Sequence, residues 1–317
     1  MTIDPAATAP LGRSGVSVTR LGVGTGPATR GLAREQVDEF AGTIRRALEL
    51  GVRYVDTAPA YHLGASEVVL GEVARDAPLV ISTKAGRLVR PGASAEGWVF
   101  DFSGDGIRAS VEESLARMGL PRVDILMIHD PDDHMDQAIG EAYPAVRRMK
   151  DEGLVGAIGA GMVSAPPLAR FVRETEIDCV LLAGRYTLLD QSALDELLPL
   201  CTDHDVSVIL GGVFNGGLLA GSSTDQYNYA PVAPEVRAAA TELTAIAARH
   251  EVSLKAAAIQ FPFFHPAIAC VLSGTVAERH LVENAELLGA DIPAAFWEEL
   301  RASGRVHSDA PIGPLVG

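Results

Sequence analysis

The 317-residue sequence is poor in cysteine, in positive charge and in long apolar runs. Its three cysteines, Cys179, Cys201 and Cys270, lie in apolar surroundings with no paired spacing. An odd, scattered set reads as buried thiols in a reducing compartment, not a disulfide frame. The chain is therefore expected in the cytoplasm. Basic residues number 26 against 41 acidic ones, a formal net charge of −15. That balance argues against nucleic acid or an anionic membrane as partner. No apolar run reaches the ~18 residues of a membrane-spanning helix. The N-terminus also lacks the basic stretch and apolar run of a secretory signal.

What the sequence does have is apolar content, 48%, with a mean hydropathy of +0.18, enough for a sizeable core. The length admits two domains or one large barrel, and the pattern along the chain favours the barrel. Short apolar runs occupy residues 21–26, 53–55, 79–82, 123–128, 155–158, 179–182, 206–210 and 267–272. Segments of helical period fill 34–50, 66–75, 106–118, 136–151, 166–174, 191–202 and 234–250. Strands alternating with helices imply a parallel sheet, and runs this apolar imply that both its faces are covered. Eight such units, about 250 residues, close into a (β/α)8 TIM barrel. A Rossmann reading fails, because no strand leads into Gly-x-Gly-x-x-Gly with an acidic residue some 20 positions on. The expectation is one α/β barrel domain over residues 1–317. It would carry a mobile segment at 1–10, a small hairpin around 12–17 and extra helices at 253–264 and 294–303. Long loops at 87–103 and 214–233 would lie on the catalytic face, where strand-to-helix loops gather.

Ionisable residues stand at the ends of three consecutive strands. The second runs into Val55-Asp56, the third into Thr83-Lys84 and the fourth into Ile128-His129. Singly, Asp56 reads as a turn cap, Lys84 as a rim charge and His129 as a structural histidine. Together they share one barrel mouth. A lysine directly after a buried strand is costly unless paired, and Asp56 is the available partner. Tyr61 follows Asp56 by five residues on a proline-containing loop. A phenol with an ordinary pKa of about 10 becomes a useful acid or base beside a fixed cation.

Asp56, Tyr61, Lys84 and His129, at these places along eight β/α units, resemble the tetrad of the aldo-keto reductases. Similarity also runs through the segment from Gly51 to Tyr61, through Gly153-Leu154-Val155-Gly156-Ala157-Ile158-Gly159, and through Leu272-Ser273-Gly274-Thr275 with Glu283-Asn284. It covers nearly the whole chain. Within that family, three further stretches resemble the branch of D-threo-aldose 1-dehydrogenases (L-fucose dehydrogenases) and pyridoxal 4-dehydrogenases. They are Ile128-His129-Asp130-Pro131, Phe214-Asn215-Gly216-Gly217-Leu218-Leu219 and Tyr227-Asn228-Tyr229-Ala230-Pro231.

The resemblance implies hydride transfer between NAD or NADP and a sugar or carbonyl substrate. Tyr61 would be the acid or base, Lys84 would lower its pKa, Asp56 would hold Lys84, and His129 would orient the reacting oxygen. An aldose oxidised at C1 to a lactone is the first expectation. Pyridoxal oxidation and general aldehyde or ketone reduction are the alternatives. The implied cofactor contacts are Gly24, Thr25, Gly26 and Asp56; Phe214, Asn215, Gly217 and Leu219; and Ser273, Gly274, Thr275, Arg279, Glu283 and Asn284.

The sequence departs from the family's pattern at the cofactor. The Ser-Asn that holds the carboxamide after strand five is replaced by Gly159-Ala160-Gly161-Met162-Val163, and the stacking tyrosine after strand seven by Gly211. Tyr186 is a possible substitute for that ring. Where NADP-specific members carry a lysine and an arginine, this chain has Gly274 and His280, with Arg279 one position off. NAD is therefore favoured over NADP, since a 2′-phosphate gains most from fixed cations. Trp98, Phe100, Phe102, Tyr227 and Tyr229 are candidate pocket aromatics.

Two other classes are open on the sequence alone. The run from His129 to His134 suggests a metal-dependent barrel hydrolase, but strand one lacks a His-x-His pair, so no metal is expected. A non-catalytic nicotinamide-binding regulatory protein on the same fold is the other. The expected partners are a small molecule and at most a few copies of the chain itself.

Overall fold

The computed structural model describes residues 2–26, 34–75, 77–222, 224, 226–227, 230–275 and 277–312. Its strands, in chain order, are β1 (Thr8–Pro10), β2 (Ser17–Thr19), β3 (Leu21–Gly24), β4 (Tyr54–Asp56), β5 (Val80–Ala85), β6 (Arg87–Val89), β7 (Trp98–Phe100), β8 (Val123–His129), β9 (Val155–Met162), β10 (Cys179–Ala183), β11 (Ser207–Gly211), β12 (Gln226–Tyr227), β13 (Ala230–Pro231) and β14 (Ile268–Gly274). Eight of them close a barrel in the order β10-β11-β14-β3-β4-β5-β8-β9. These are the eight apolar runs, each starting within one residue of its expected start, although β5 runs three residues and β9 four residues past the expected end. The helices are α1 (Arg34–Glu49), α2 (Ala65–Ala74), α3 (Gly104–Met118), α4 (Met135–Gln137), α5 (Tyr143–Asp151), α6 (Ala165–Glu174), α7 (Leu197–Asp203), α8 (Pro234–Arg249), α9 (Leu254–Gln260), α10 (Glu278–Leu288) and α11 (Ala294–Ala302). None of the described helices is long and apolar enough to cross a membrane.

Alternation along the strands sorts the barrel into two cores. Ile125 and Met127 of β8 face inward with Tyr54, Leu181, Ile209 and Leu272, while Leu126 and Ile128 pack outward against the helices. Strand period alone then fixes the top layer of the interior. Two residues beyond Met127 comes His129, two beyond Tyr54 comes Asp56, and two beyond Ser82 comes Lys84. Continuing round the mouth, the inward positions at the strand ends are Gly161, Ala183, Gly211, Gly274 and Gly24. One half of the mouth is thus polar, and the other half has almost no side chains.

Several expectations need correction. The first ten residues were read as mobile, yet Ile3 is buried, its N–H donates to the Leu288 carbonyl at 3.0 Å, and β1 pairs with β2. Ala9, Leu11 and Val18 of that hairpin join the inner core. The helix read over 136–151 is interrupted by a π turn at Ala138–Ala142. Pro144 has no N–H for the Gly140 carbonyl and its ring crowds that group, so the backbone widens. The helix read over 191–202 breaks at Asp195 and Glu196 for the same reason, since Asp195 is four residues before Pro199. Both long loops contain small hairpins, β6 with β7 and β12 with β13. Helix α10 was not anticipated. Glu278, Arg279, His280, Glu283 and Glu286 crowd its sequence, and the apolar part of its buried stripe is only Leu281, Ala285 and Leu288.

Candidate active site

Asp56 is the last residue of β4 and is 3% exposed. Its Oδ1 accepts from the Ser82 hydroxyl at 2.7 Å, and Ser82 in turn lies 2.9 Å from the Tyr54 hydroxyl. Its Oδ2 accepts from Lys84 Nζ at 2.7 Å. The remaining Lys84 donors go to the Thr57 carbonyl at 2.9 Å and the Tyr61 hydroxyl at 3.3 Å. An ammonium has three N–H groups, and all three are used. This is how a lysine only 2% exposed is tolerated at the top of a barrel core.

Tyr61 begins a 3₁₀ turn, Tyr61–Gly64, on the loop after β4. The next two residues, His62 and Leu63, both have φ of 52°, in the left-handed region, followed by Gly64 at 91°. Such conformations cost non-glycine residues on the order of 1–3 kcal/mol each and persist where the surroundings over-determine them. The Tyr61 ring meets His129 edge-on at 5.9 Å and has Lys84 Nζ 4.7 Å from its centre. The four residues expected to converge are therefore together in the polar half of the mouth.

Burial pushes the Tyr61 phenol up, the Lys84 charge pulls it down and the Asp56 charge pushes it up again, leaving it above its ordinary value. Lys84 acts on Tyr61 in the expected direction, but in the protein alone it does not outweigh burial. Burial also disfavours the Lys84 ammonium, yet Asp56 and Tyr61 prevail and its pKa lies above the ordinary lysine value. Burial, reinforced by the Arg87 and Lys84 charges, holds His129 well below the usual histidine range. His129 is thus a neutral imidazole near neutrality. Its buried Nδ1 has no partner. An unmade acceptor there costs less than an unmade N–H, which assigns the proton to Nε2, the nitrogen 3.6 Å from Asp130 Oδ2.

A cavity of about 620 Å³ opens beside the side-chain-poor half of the mouth. Its wall includes Phe214, Asn215, Gly217, Gly274, Thr275, Glu283 and Asn284, all expected to face a cofactor. Gly24 and Gly26 belong to the mouth itself, a Cβ on Gly26 falling 3.5 Å from the Tyr61 hydroxyl. Other expected contacts stand behind the wall. Leu219 is fully buried, Thr25 bonds Thr57 at 3.1 Å, and Ser273 accepts from Asn284 Nδ2 at 2.8 Å. Asp56 has both oxygens occupied, and Arg279 is exposed and lies outside the cavity lining. Tyr186 is fully buried against Phe261 and His265, so it offers no face to a ring in the mouth. Phe102 is likewise buried, whereas Phe100 is 43% exposed. Asn228 and Tyr229 lie outside the described residues. His134 packs on Phe100 and Phe102, and among the described residues no cluster of three His, Cys, Asp or Glu could hold a metal.

Sequence reasoning missed Lys255, which lines the cavity, donates to Glu283 at 2.6 Å and lies 5.4 Å from the centre of the Phe214 ring. Nothing in a lone lysine at the start of α9 points to a glutamate 28 positions later. The wall fits a dinucleotide on its own chemistry. Asn215 Oδ1 and Asn284 Oδ1 are buried acceptors without a partner, which ribose hydroxyls or a base amino group would satisfy. Gly216 and Gly217, at φ of 68° and 100°, bring bare backbone to the surface.

A (β/α)8 barrel with a phenol, a buried ammonium–carboxylate pair and a neutral imidazole at its mouth has the equipment of a hydride-transfer oxidoreductase. The chain belongs to the aldo/keto reductase family, whose model matches residues 20–305. It is an NAD(P)-dependent oxidoreductase acting on CH–OH or carbonyl groups, which excludes the non-catalytic alternative. It is 38% identical to a D-threo-aldose 1-dehydrogenase of a Pseudomonas species, over 94% of this chain and 96% of that protein. It is 33% identical to the pyridoxal 4-dehydrogenase of Microbacterium luteolum, over 93% and 97% of the two chains. A holo-form aldo-keto reductase of Bacillus halodurans superposes with a TM-score of 0.77 at 23% identity, covering 98% of this chain and all of that one.

Proposed function

We propose that the protein is an aldose 1-dehydrogenase that oxidises a pyranose at C1 to a lactone, with Tyr61, Lys84, Asp56 and His129 as its catalytic group. The observation that carries the chemistry is the Lys84 ammonium, held by Asp56 and 3.3 Å from the Tyr61 hydroxyl. The 38% identity with a D-threo-aldose 1-dehydrogenase over nearly the whole chain supports the substrate class. The bound nicotinamide dinucleotide supplies the hydride acceptor or donor. Asn215, Gly216, Gly217, Thr275, Glu283 and Asn284 line the cavity and would hold it, beside the strand ends at Gly161 and Gly211 that carry no side chain. His129 donates from Nε2 to the reacting oxygen and fixes its position. Tyr61 takes the C1 hydroxyl proton in oxidation and returns it in reduction, and Lys84 stabilises the phenolate formed. Asp56 keeps Lys84 from turning away. General acid–base help of this kind contributes about 10²–10⁴-fold.

A panel of L-fucose, L-galactose, D-arabinose and pyridoxal, each with NAD and NADP and followed at 340 nm, tests the substrate. An aldose as the fastest substrate supports the proposal. Pyridoxal as the fastest substrate would favour the second reading, which the 33% identity to a pyridoxal 4-dehydrogenase supports.

NAD is the proposed preference. Neither Gly274 nor His280 supplies a lysine or arginine, and the one ammonium among the described residues of the wall, Lys255, is already paired with Glu283. Glu283→Gln frees that ammonium and removes a negative charge. The NADP-to-NAD ratio of kcat/KM is expected to rise about tenfold, equivalent to ~1.4 kcal/mol. The ratio of the two dissociation constants, from fluorescence titration, should move with it. An unchanged ratio contradicts the assignment. The buried free thiols Cys179, Cys201 and Cys270 support a reducing compartment, and we place the protein in the cytoplasm.

A further inference from the structure

The residue after His129 has no part in the chemistry above, yet the fold goes to some length to hold it. Asp130 directly follows β8 with a φ of 42°, a left-handed conformation that Asp and Asn tolerate better than most residues. Its N–H donates to the Gly161 carbonyl at 3.0 Å, which fixes the turn against β9. Its Oδ2 accepts from Arg87 Nη2 and lies 3.6 Å from His129 Nε2, too far for a hydrogen bond. No described residue donates to its Oδ1, and the side chain is 24% exposed in the mouth. Arg87 is held in turn. Its guanidinium lies 4.5 Å from the centre of the Trp98 ring and 5.4 Å from that of Phe100, both from the hairpin of β6 and β7. A planar cation between aromatic faces and a carboxylate is a fixed support. The structure therefore presents one carboxylate oxygen without a donor beside the imidazole that grips the reacting oxygen.

We propose that Asp130, braced by Arg87, is the specificity residue that accepts a hydrogen bond from the hydroxyl on the carbon next to the reacting one, C2 of an aldose. This rests on the aldose reading above and goes further, by naming the substrate feature that is read. His129 Nε2 and Tyr61 hold the oxygen on C1. The Arg87-bound oxygen of the carboxylate, Oδ2, lies 3.6 Å from that nitrogen, which sets the group one substituent further along, with Oδ1 left to meet a vicinal hydroxyl. A charged acceptor makes a bond about twice as strong as a neutral one, and left unpaired it rejects a substrate that brings no donor. The class selected is the 2-hydroxy aldose, in preference to aldehydes or sugars lacking oxygen at C2.

The test compares D-arabinose with 2-deoxy-D-ribose, which is D-arabinose without its C2 oxygen, in the wild type and in Asp130→Asn. Asparagine keeps the size and the tolerance for positive φ but removes the charge. The wild-type ratio of kcat/KM, D-arabinose over 2-deoxy-D-ribose, is expected at about 100 or more. In the variant that ratio should fall at least about tenfold. A purely structural role for Asp130 would lower both rates and leave the ratio where it was. A wild-type ratio near one, or the same ratio in the variant, overturns the clamp while leaving aldose oxidation in place. The wild-type ratio decides alone should the variant fail to fold. No oxidation of any aldose by the wild type overturns the functional reading and the clamp with it.

Discussion

Tyr61→Phe should lose turnover by about 10²–10⁴-fold while still binding the dinucleotide, measured by absorbance at 340 nm and by fluorescence titration. The variant keeps the aromatic body. The edge contact to His129 at 5.9 Å and the face presented to Lys84 at 4.7 Å both survive. Only the hydroxyl 3.3 Å from Lys84 Nζ disappears. Lys84 then retains two of its three acceptors, Asp56 and the Thr57 carbonyl, and water can serve the third donor. The thermal midpoint should therefore move little. Because the lost group acts on a proton in flight, the deficit belongs in kcat more than in KM. Turnover near the wild-type level would remove Tyr61 from the mechanism.

Lys84→Met should damage both activity and stability. Lys84 and Asp56 have side chains 2% and 4% exposed, and their contact is 2.7 Å. Removing one member of a buried pair leaves the other charge uncompensated, at a cost of about 3–5 kcal/mol. Asp56 would keep only the Ser82 hydroxyl. The phenol of Tyr61 would lose the one nearby cation that pulls its pKa down, so its basic form would become scarcer still. A second change, Asp56→Ala, should restore part of the stability by removing the orphaned carboxylate, but none of the activity. Denaturant unfolding of the single and double variants separates the two effects. A single variant as stable as the wild type would mean that the pair is not the buried contact described here.

Much of this site could be read from strand ends. A strand with both faces covered is apolar almost throughout, so a polar residue where it stops stands out, and Asp56, Lys84 and His129 each do. Their common inward parity with Tyr54, Ser82 and Met127 places them in one layer. The glycines of the opposite half were harder to read. Gly24, Gly161, Gly211 and Gly274 each look like turn residues, and their meaning is the space they leave jointly. Lys255 with Glu283, and Arg87 with Asp130, depend on segments that meet only after the barrel closes. The helix breaks near Pro144 and Pro199 were legible in principle, since each proline forbids a bond to the carbonyl four residues back. Helix α10 escaped notice because charged residues dilute its apolar stripe.

The most direct test of the central assignment is the pH dependence of kcat/KM for aldose oxidation by the wild type. Oxidation needs a base. Burial raises Tyr61, so its deprotonated form is a small fraction near neutrality that grows as pH rises. His129 is held well below the usual histidine range and is already neutral there. The rate should climb about tenfold per unit from about pH 6 to about pH 8, with no midpoint in the histidine range. A profile that levels off by about pH 7, with a midpoint near the ordinary histidine value of about 6.5, would put the base on the imidazole and contradict the role given to Tyr61.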